Sequence, residues 1–132
     1  MTTHILTNLD DILTRLRQVY REIHQHPELS LEEHATAERI ETELSRLDVE
    51  VQRIGGTGVV AVIRNGTGPT VLARADTDAL PVAEQTGLEY SSQIDGAMHA
   101  CGHDMHVATL LGAVEVLATN KDSWSGTYIG LF

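Results

Sequence analysis

Thr70-Val71-Leu72-Ala73-Arg74-Ala75-Asp76-Thr77-Asp78-Ala79-Leu80-Pro81 is the stretch on which the reading of the fold turns. Its opening residues form a short apolar run of the kind that fills a buried strand, and two carboxylates arrive where the run stops. In an open α/β sheet, ligands bind at the carboxyl ends of the strands. Strand alternation would place Asp76 and Asp78 on one side if the strand extends that far. An Asp-rich turn closed by Pro81 accounts for the local chemistry equally well. Alternatively, the two acids ligate a hard cation or orient a metal-bound histidine.

Working outward, Gly58 to Ile63 is a strong strand, and Asn65-Gly66-Thr67-Gly68-Pro69 is a cluster of turn formers. Together they predict that the strand over Thr70 to Ala75 folds back antiparallel on Gly58 to Ile63 as a hairpin. A shorter strand is expected from Val49 to Arg53, ended by Gly55-Gly56. Further upstream, Leu9, Ile12, Leu13, Leu16, Val19, Tyr20 and Ile23 recur at helical spacing, with Thr7 or Asn8 as the cap. Ser30-Leu31-Glu32-Glu33 reads as a capping box opening a second helix to about Leu47, with Ala37, Ile40 and Leu44 on one face. Between these helices, His24-Gln25-His26-Pro27 offers a His-x-His chelate. Pro27 disfavours helix at His26, and a structural turn is the preferred reading.

Downstream, Val82 to Asp95 shows no period and is expected to be a loop lying over the site. It leads to Gly96-Ala97-Met98-His99-Ala100-Cys101-Gly102-His103-Asp104-Met105-His106, which gathers three of the seven histidines and the only cysteine. A soft thiolate and imidazoles on backbone freed by Gly102 suit a borderline transition metal, although Cys-x-His supplies two ligands where zinc needs about three or four. A lone cysteine is more often a small buried hydrophobe. Val107, Leu110, Leu111, Val114 and Leu117 then make a helix whose positive N-terminal end favours an anionic thiolate at Cys101. The last segment, Gly126 to Phe132, reads as an apolar strand left as an unfinished edge, an aggregation liability and a sign of truncation.

Composition narrows the functional classes. The chain has 132 residues, 42% of them hydrophobic, which suits one domain with a core. Nine basic against 19 acidic side chains give a net charge of −10, and Lys121 is the single lysine. Phosphate binding wants clustered cations, so a nucleic-acid partner is not expected. The polar start and the lack of a long apolar run argue against a signal peptide or membrane span. One cysteine forms no internal disulfide, and the cytoplasm is the expected compartment. No Gly-x-Gly-x-x-Gly precedes a helix, so a phosphate cradle is a weak reading.

Three motifs in register, His26-Pro27-Glu28-Leu29, Arg74 to Pro81 and Met98 to Asp104, resemble the amidohydrolase branch of peptidase family M-twenty. That branch includes hippurate hydrolases, N-acyl-amino-acid amidohydrolases and auxin-conjugate hydrolases. The resemblance covers about Leu9 to Phe132 and roughly the first third of the family's length. It implies an α/β fold, the N-terminal part of a metallo-exopeptidase-like catalytic domain with a mixed sheet flanked by helices. Residues 1–132 would be one portion of that domain, without its remainder or the smaller lid and dimerisation domain.

The resemblance further implies a dinuclear hydrolase cleaving the amide of an N-acyl amino acid. Cys101 and His103 match metal ligands, and Asp78 matches the acid supporting the site from beneath. The two divalent ions would be zinc, manganese, cobalt or nickel, and the full-length form a homodimer. Asp76 stands where other branches carry a ligating histidine, and Met105 where the family usually has glycine, narrowing the space beside the metals. The Pro-x-Glu-Glu turn carrying the general base is expected past Phe132, so the chain alone is expected to be inactive. Two rival readings remain: a catalytically dead piece acting as an interaction partner or remnant, and a metal-free domain with Cys101 as a redox thiol.

Overall fold

The computed structural model describes residues 5–132. The expected first helix forms as α1, Leu9–Gln25, burying Ile12, Leu16, Val19 and Ile23 along one stripe. Asn8 occupies the cap position without a side-chain cap bond. The second helix, α2, is His34–Leu44. Its expected capping box does not form, because the helix starts later than Ser30 and no side chain of Glu33 caps it. Glu28 does the capping from the preceding turn, accepting from the backbone N–H groups of Ala35 at 3.0 Å and Thr36 at 2.6 Å, and from the Thr36 hydroxyl. A carboxylate there meets both the orphan donors and the positive end of the helix dipole.

Four strands follow the pattern of apolar runs: β1 Glu50–Ile54, β2 Gly58–Asn65, β3 Thr70–Arg74 and β4 Gly126–Leu131. Their order, β1-β2-β4-β3, corrects two expectations. β2 and β3 are not a hairpin, and β4 is no edge. β4 runs between them, antiparallel to β2 from Val60↔Leu131 to Asn65↔Gly126 and parallel to β3 from Thr70↔Thr127 to Arg74↔Leu131.

The Asn65 to Pro69 cluster therefore opens a gap rather than closing a hairpin. Asn65 Nδ2 donates to the carbonyls of Lys121 and Trp124, and Thr127 N–H donates to Pro69 O at 2.9 Å. Gly126 makes the approach possible: at φ +120 it lies so near that an added Cβ would sit 2.3 Å from Pro69 O. The outer strands are β1 and β3, where Val71 and Leu72 stand exposed, so the edge liability lies there.

β3 and β4 are parallel and joined through the third helix, α3, His103–Thr119, which makes them a βαβ unit. α3 buries Val107, Leu110, Leu111 and Val114. These pack with Val59, Ala61 and Ile63 of β2 and with Ile40 and Leu44 of α2 in one apolar cluster. Arg15 of α1 ties the helices together, pairing with Glu43 at 2.7 Å and with Glu115. Among the described residues no helix is long and apolar enough to cross a membrane.

Candidate functional site

The βαβ unit brings the carboxyl end of β3 and the N-terminus of α3 to the same end of the sheet, where α/β folds bind ligands. Backbone bonds then gather the three sequence motifs. Ala79 N–H donates to Glu28 O at 2.8 Å, and Leu80 and Met98 exchange both bonds, at 2.9 and 3.0 Å. The loop from Arg74 to Pro81 is thereby clamped between the His-Pro-Glu-Leu turn and the segment leading into α3.

At that junction His103 faces both acids of the Arg74 to Pro81 motif. Its Nδ1 lies 2.9 Å from the backbone oxygen of Asp78 and 3.0 Å from Asp78 Oδ1. Both are acceptors, so Nδ1 carries the proton and donates. In the neutral ring this leaves the Nε2 lone pair free, 3.9 Å from Asp76 Oδ2. Asp76 is also engaged by Arg74 Nη2, at 3.0 and 3.1 Å. Cys101 is a free, exposed thiol two residues before His103. Between them Gly102 takes φ +78, the left-handed conformation that turns the chain into the helix. His106 lies alongside, its ring centroid 6.0 Å from that of His103.

A donor set of one thiolate and one oriented imidazole fits a borderline divalent ion. It is partial, since among the described residues no three His, Cys, Asp or Glu side chains gather closely enough to hold an ion. Met105 is 48% exposed and lines an apolar groove of about 580 Å³ between α1 and α3, with Leu9, Leu13, Leu16 and Tyr20.

Directly beneath lies a buried polar network that periodicity and motif spacing did not reveal. His24 is 4% exposed. Its Nδ1 is 2.6 Å from Asp104 Oδ2 and its Nε2 is 3.0 Å from Glu84 Oε1. His26 does not join it in a chelate: its Nδ1 bonds Glu22 O. Burial acts to lower the His24 pKa, but the hydrogen bonds to Glu84 and Asp104 outweigh it and raise the value. Glu84 is pulled down to about 2: burial opposes this, but bonds from Thr86, His24 and the Ser92 N–H prevail. The aperiodic loop is thus fastened at Glu84 to the base of the site. His99 is also buried, and neither of its ring nitrogens has a hydrogen-bond partner.

Residues 72–132 match the family described as Peptidase family M20/M25/M40. A thermostable carboxypeptidase 1 from Saccharolobus solfataricus is 51% identical over 112 residues, 83% of this chain and 28% of that protein. An N-acetylcysteine deacetylase from Bacillus subtilis is 41% identical over 122 residues, 90% of this chain and 32% of its own length. Among solved structures, a Bacillus subtilis protein described as a dinuclear metal binding peptidase superposes with a TM-score of 0.86 at 41% identity, over 90% of this chain and 34% of that one.

The α/β architecture with its mixed sheet is shared with a solved M20-family peptidase over about a third of that protein's length, and residues 72–132 place this chain in peptidase family M20/M25/M40. Its relatives include amidohydrolases and deacetylases as well as peptidases, and it spans about a third of the length of those it matches.

Proposed function

We propose that this chain supplies the Cys101 and His103 half of a two-metal centre in an amidohydrolase that cleaves the amide of N-acyl amino acids, with hippurate-like conjugates as the substrate class. The observation that carries the reading is the His103 ring, whose proton is fixed at Nδ1 by Asp78 while Nε2 stays free, with an exposed thiol two residues earlier in the chain. Carboxylate-oriented imidazoles of this kind are characteristic of metal ligands. The similarity to an N-acetylcysteine deacetylase supports an acylated amino acid as substrate.

Cys101 and His103 would hold metal, zinc, manganese, cobalt or nickel, with Asp78 holding the His103 tautomer and Asp76 close by. When bound, divalent metal polarises an amide carbonyl and brings a water's pKa to about 7. The carboxylate that shuttles the proton to the leaving amine has no counterpart in residues 5–132, where no Pro-x-Glu-Glu turn occurs. In this reading residues 5–132 do not hydrolyse the substrate unaided, and the working form is a cytoplasmic homodimer.

Cobalt(II) titration of the purified chain, followed by thiolate-to-metal absorption, tests the site. A band that disappears in Cys101→Ser and weakens in His103→Ala is expected, without hydrolysis of hippurate. No band would overturn the metal reading, and metal-dependent hydrolysis by the chain alone would overturn its inactivity.

A further inference from the structure

The geometry points to His24 as a positioning residue, a buried imidazolium that clamps the 82–95 loop through Glu84 to the first turn of α3 through Asp104, and so fixes the backbone carrying Cys101 and His103. The clamp stands on its own geometry; its consequence for metal rests on the reading above.

Both ring nitrogens face carboxylate oxygens, which accept and do not donate, so each nitrogen must carry a proton. Each carboxylate divides its oxygens between His24 and its own segment. Asp104 gives Oδ1 to the Met105 N–H at 2.9 Å and Oδ2 to His24. Glu84 gives Oε2 to the Ser92 N–H at 2.6 Å and shares Oε1 between His24 and the Thr86 hydroxyl. One cation thus holds together two segments that are otherwise far apart in sequence. Without it two carboxylates, each 3% exposed, would face each other uncompensated, the costly case for buried charge.

The surroundings keep the charge where it is. Tyr20 of α1 and Tyr90 of the loop pack on the His24 ring with centroids at 5.8 and 5.4 Å. Arg21 lies over the far Tyr90 ring at 5.1 Å. Burial, the Tyr90 hydrogen bond and the nearby Asp104 push the Tyr20 hydroxyl up to about 12, so it stays neutral. Gln93 N–H also donates to Gln25 O at 2.8 Å, seating the loop against the end of α1.

Amide hydrogen exchange on the 132-residue chain tests the clamp. In His24→Gln, exchange at Ser92, Met105 and His106 is expected to rise about tenfold or more, with the β2 amides unchanged. Unchanged exchange at Met105 and His106 would overturn the proposal. Should His24→Gln fail to fold, Glu84→Gln decides: a rise at Met105 together with Ser92 supports the clamp, and a rise at Ser92 alone overturns it.

Cobalt(II) affinity adds the readout specific to position. It should fall about tenfold in His24→Gln and recover in His24→Lys, which restores the cation. A residue that merely fills space would be replaced better by Gln. Absence of cobalt binding by the unmodified chain would sink the metal reading and leave the exchange result to decide the clamp.

Discussion

At the scale of single residues, the site is organised by where protons are forced to sit. Asp78 places the His103 proton on Nδ1, and two carboxylates place protons on both nitrogens of His24. Replacing Asp78 by Asn keeps the size but weakens the orientation of the ring, and isothermal titration should show zinc affinity about 10- to 100-fold lower.

The His24 network also sets a pH window. Glu84 has its folded pKa lowered to about 2 from the ordinary 4.5, so its contribution is full above about 4.5 and is lost as pH falls toward 2. His24 has its pKa raised from 6.5, so its contribution is full below 6.5 and is lost as pH rises through the folded value. Glu84→Gln should therefore be less stable than the parent at pH 5 to 6 and converge with it near pH 2. Urea midpoints measured across that range check this.

That Asp78 and His103 come together was legible because each sits in a short motif. His24, Glu84 and Asp104 were not, because partners separated by 60 and 80 residues leave no local pattern. His24 lay in plain view as half of a His-x-His pair, and only its burial shows that its work is to hold carboxylates.

Among the elements, the three α-helices of the described residues were readable from apolar spacing, and the largest boundary shifts fell on α2, which starts at His34 without its expected capping box and ends at Leu44 instead of about Leu47. Ser30 to Glu33 matched the capping pattern, yet Glu28 reaches the free N–H groups of α2 first. Strand existence was equally legible, whereas strand pairing was not. Asn65-Gly66 is a strong hairpin signal, and what overrides it is a strand arriving from about 60 residues away, which no local signal encodes.

The residue that admits β4 is Gly126, and its replacement is the sharpest test of the arrangement. Gly126→Ala must be strained at φ +120 and collide with Pro69 O, so chemical denaturation should show a loss of about 3 kcal/mol or more. Gly66→Ala, at φ +74 with open space around it, should cost only about 1 to 2 kcal/mol.

Over the whole molecule, the sheet order gives the site its location. Because β4 is central and parallel to β3, α3 must cross between them, and that crossing sets the Cys101 to His103 segment beside the carboxyl end of β3. The acidic balance of −10 plays no part in this and bears on solubility instead. What the sequence made legible at this scale was the family and the end of the sheet that carries the chemistry. The order of the strands required the long-range contacts.

The most direct test of the metal reading is the ring-nitrogen NMR spectrum of His103 with the Cys101 Cβ signal, recorded as zinc is added to the chain. The account predicts that the His103 Nε2 and Cys101 signals move together while Nδ1 remains protonated. Signals that stay put, or a shift at Nδ1 in place of Nε2, would contradict it.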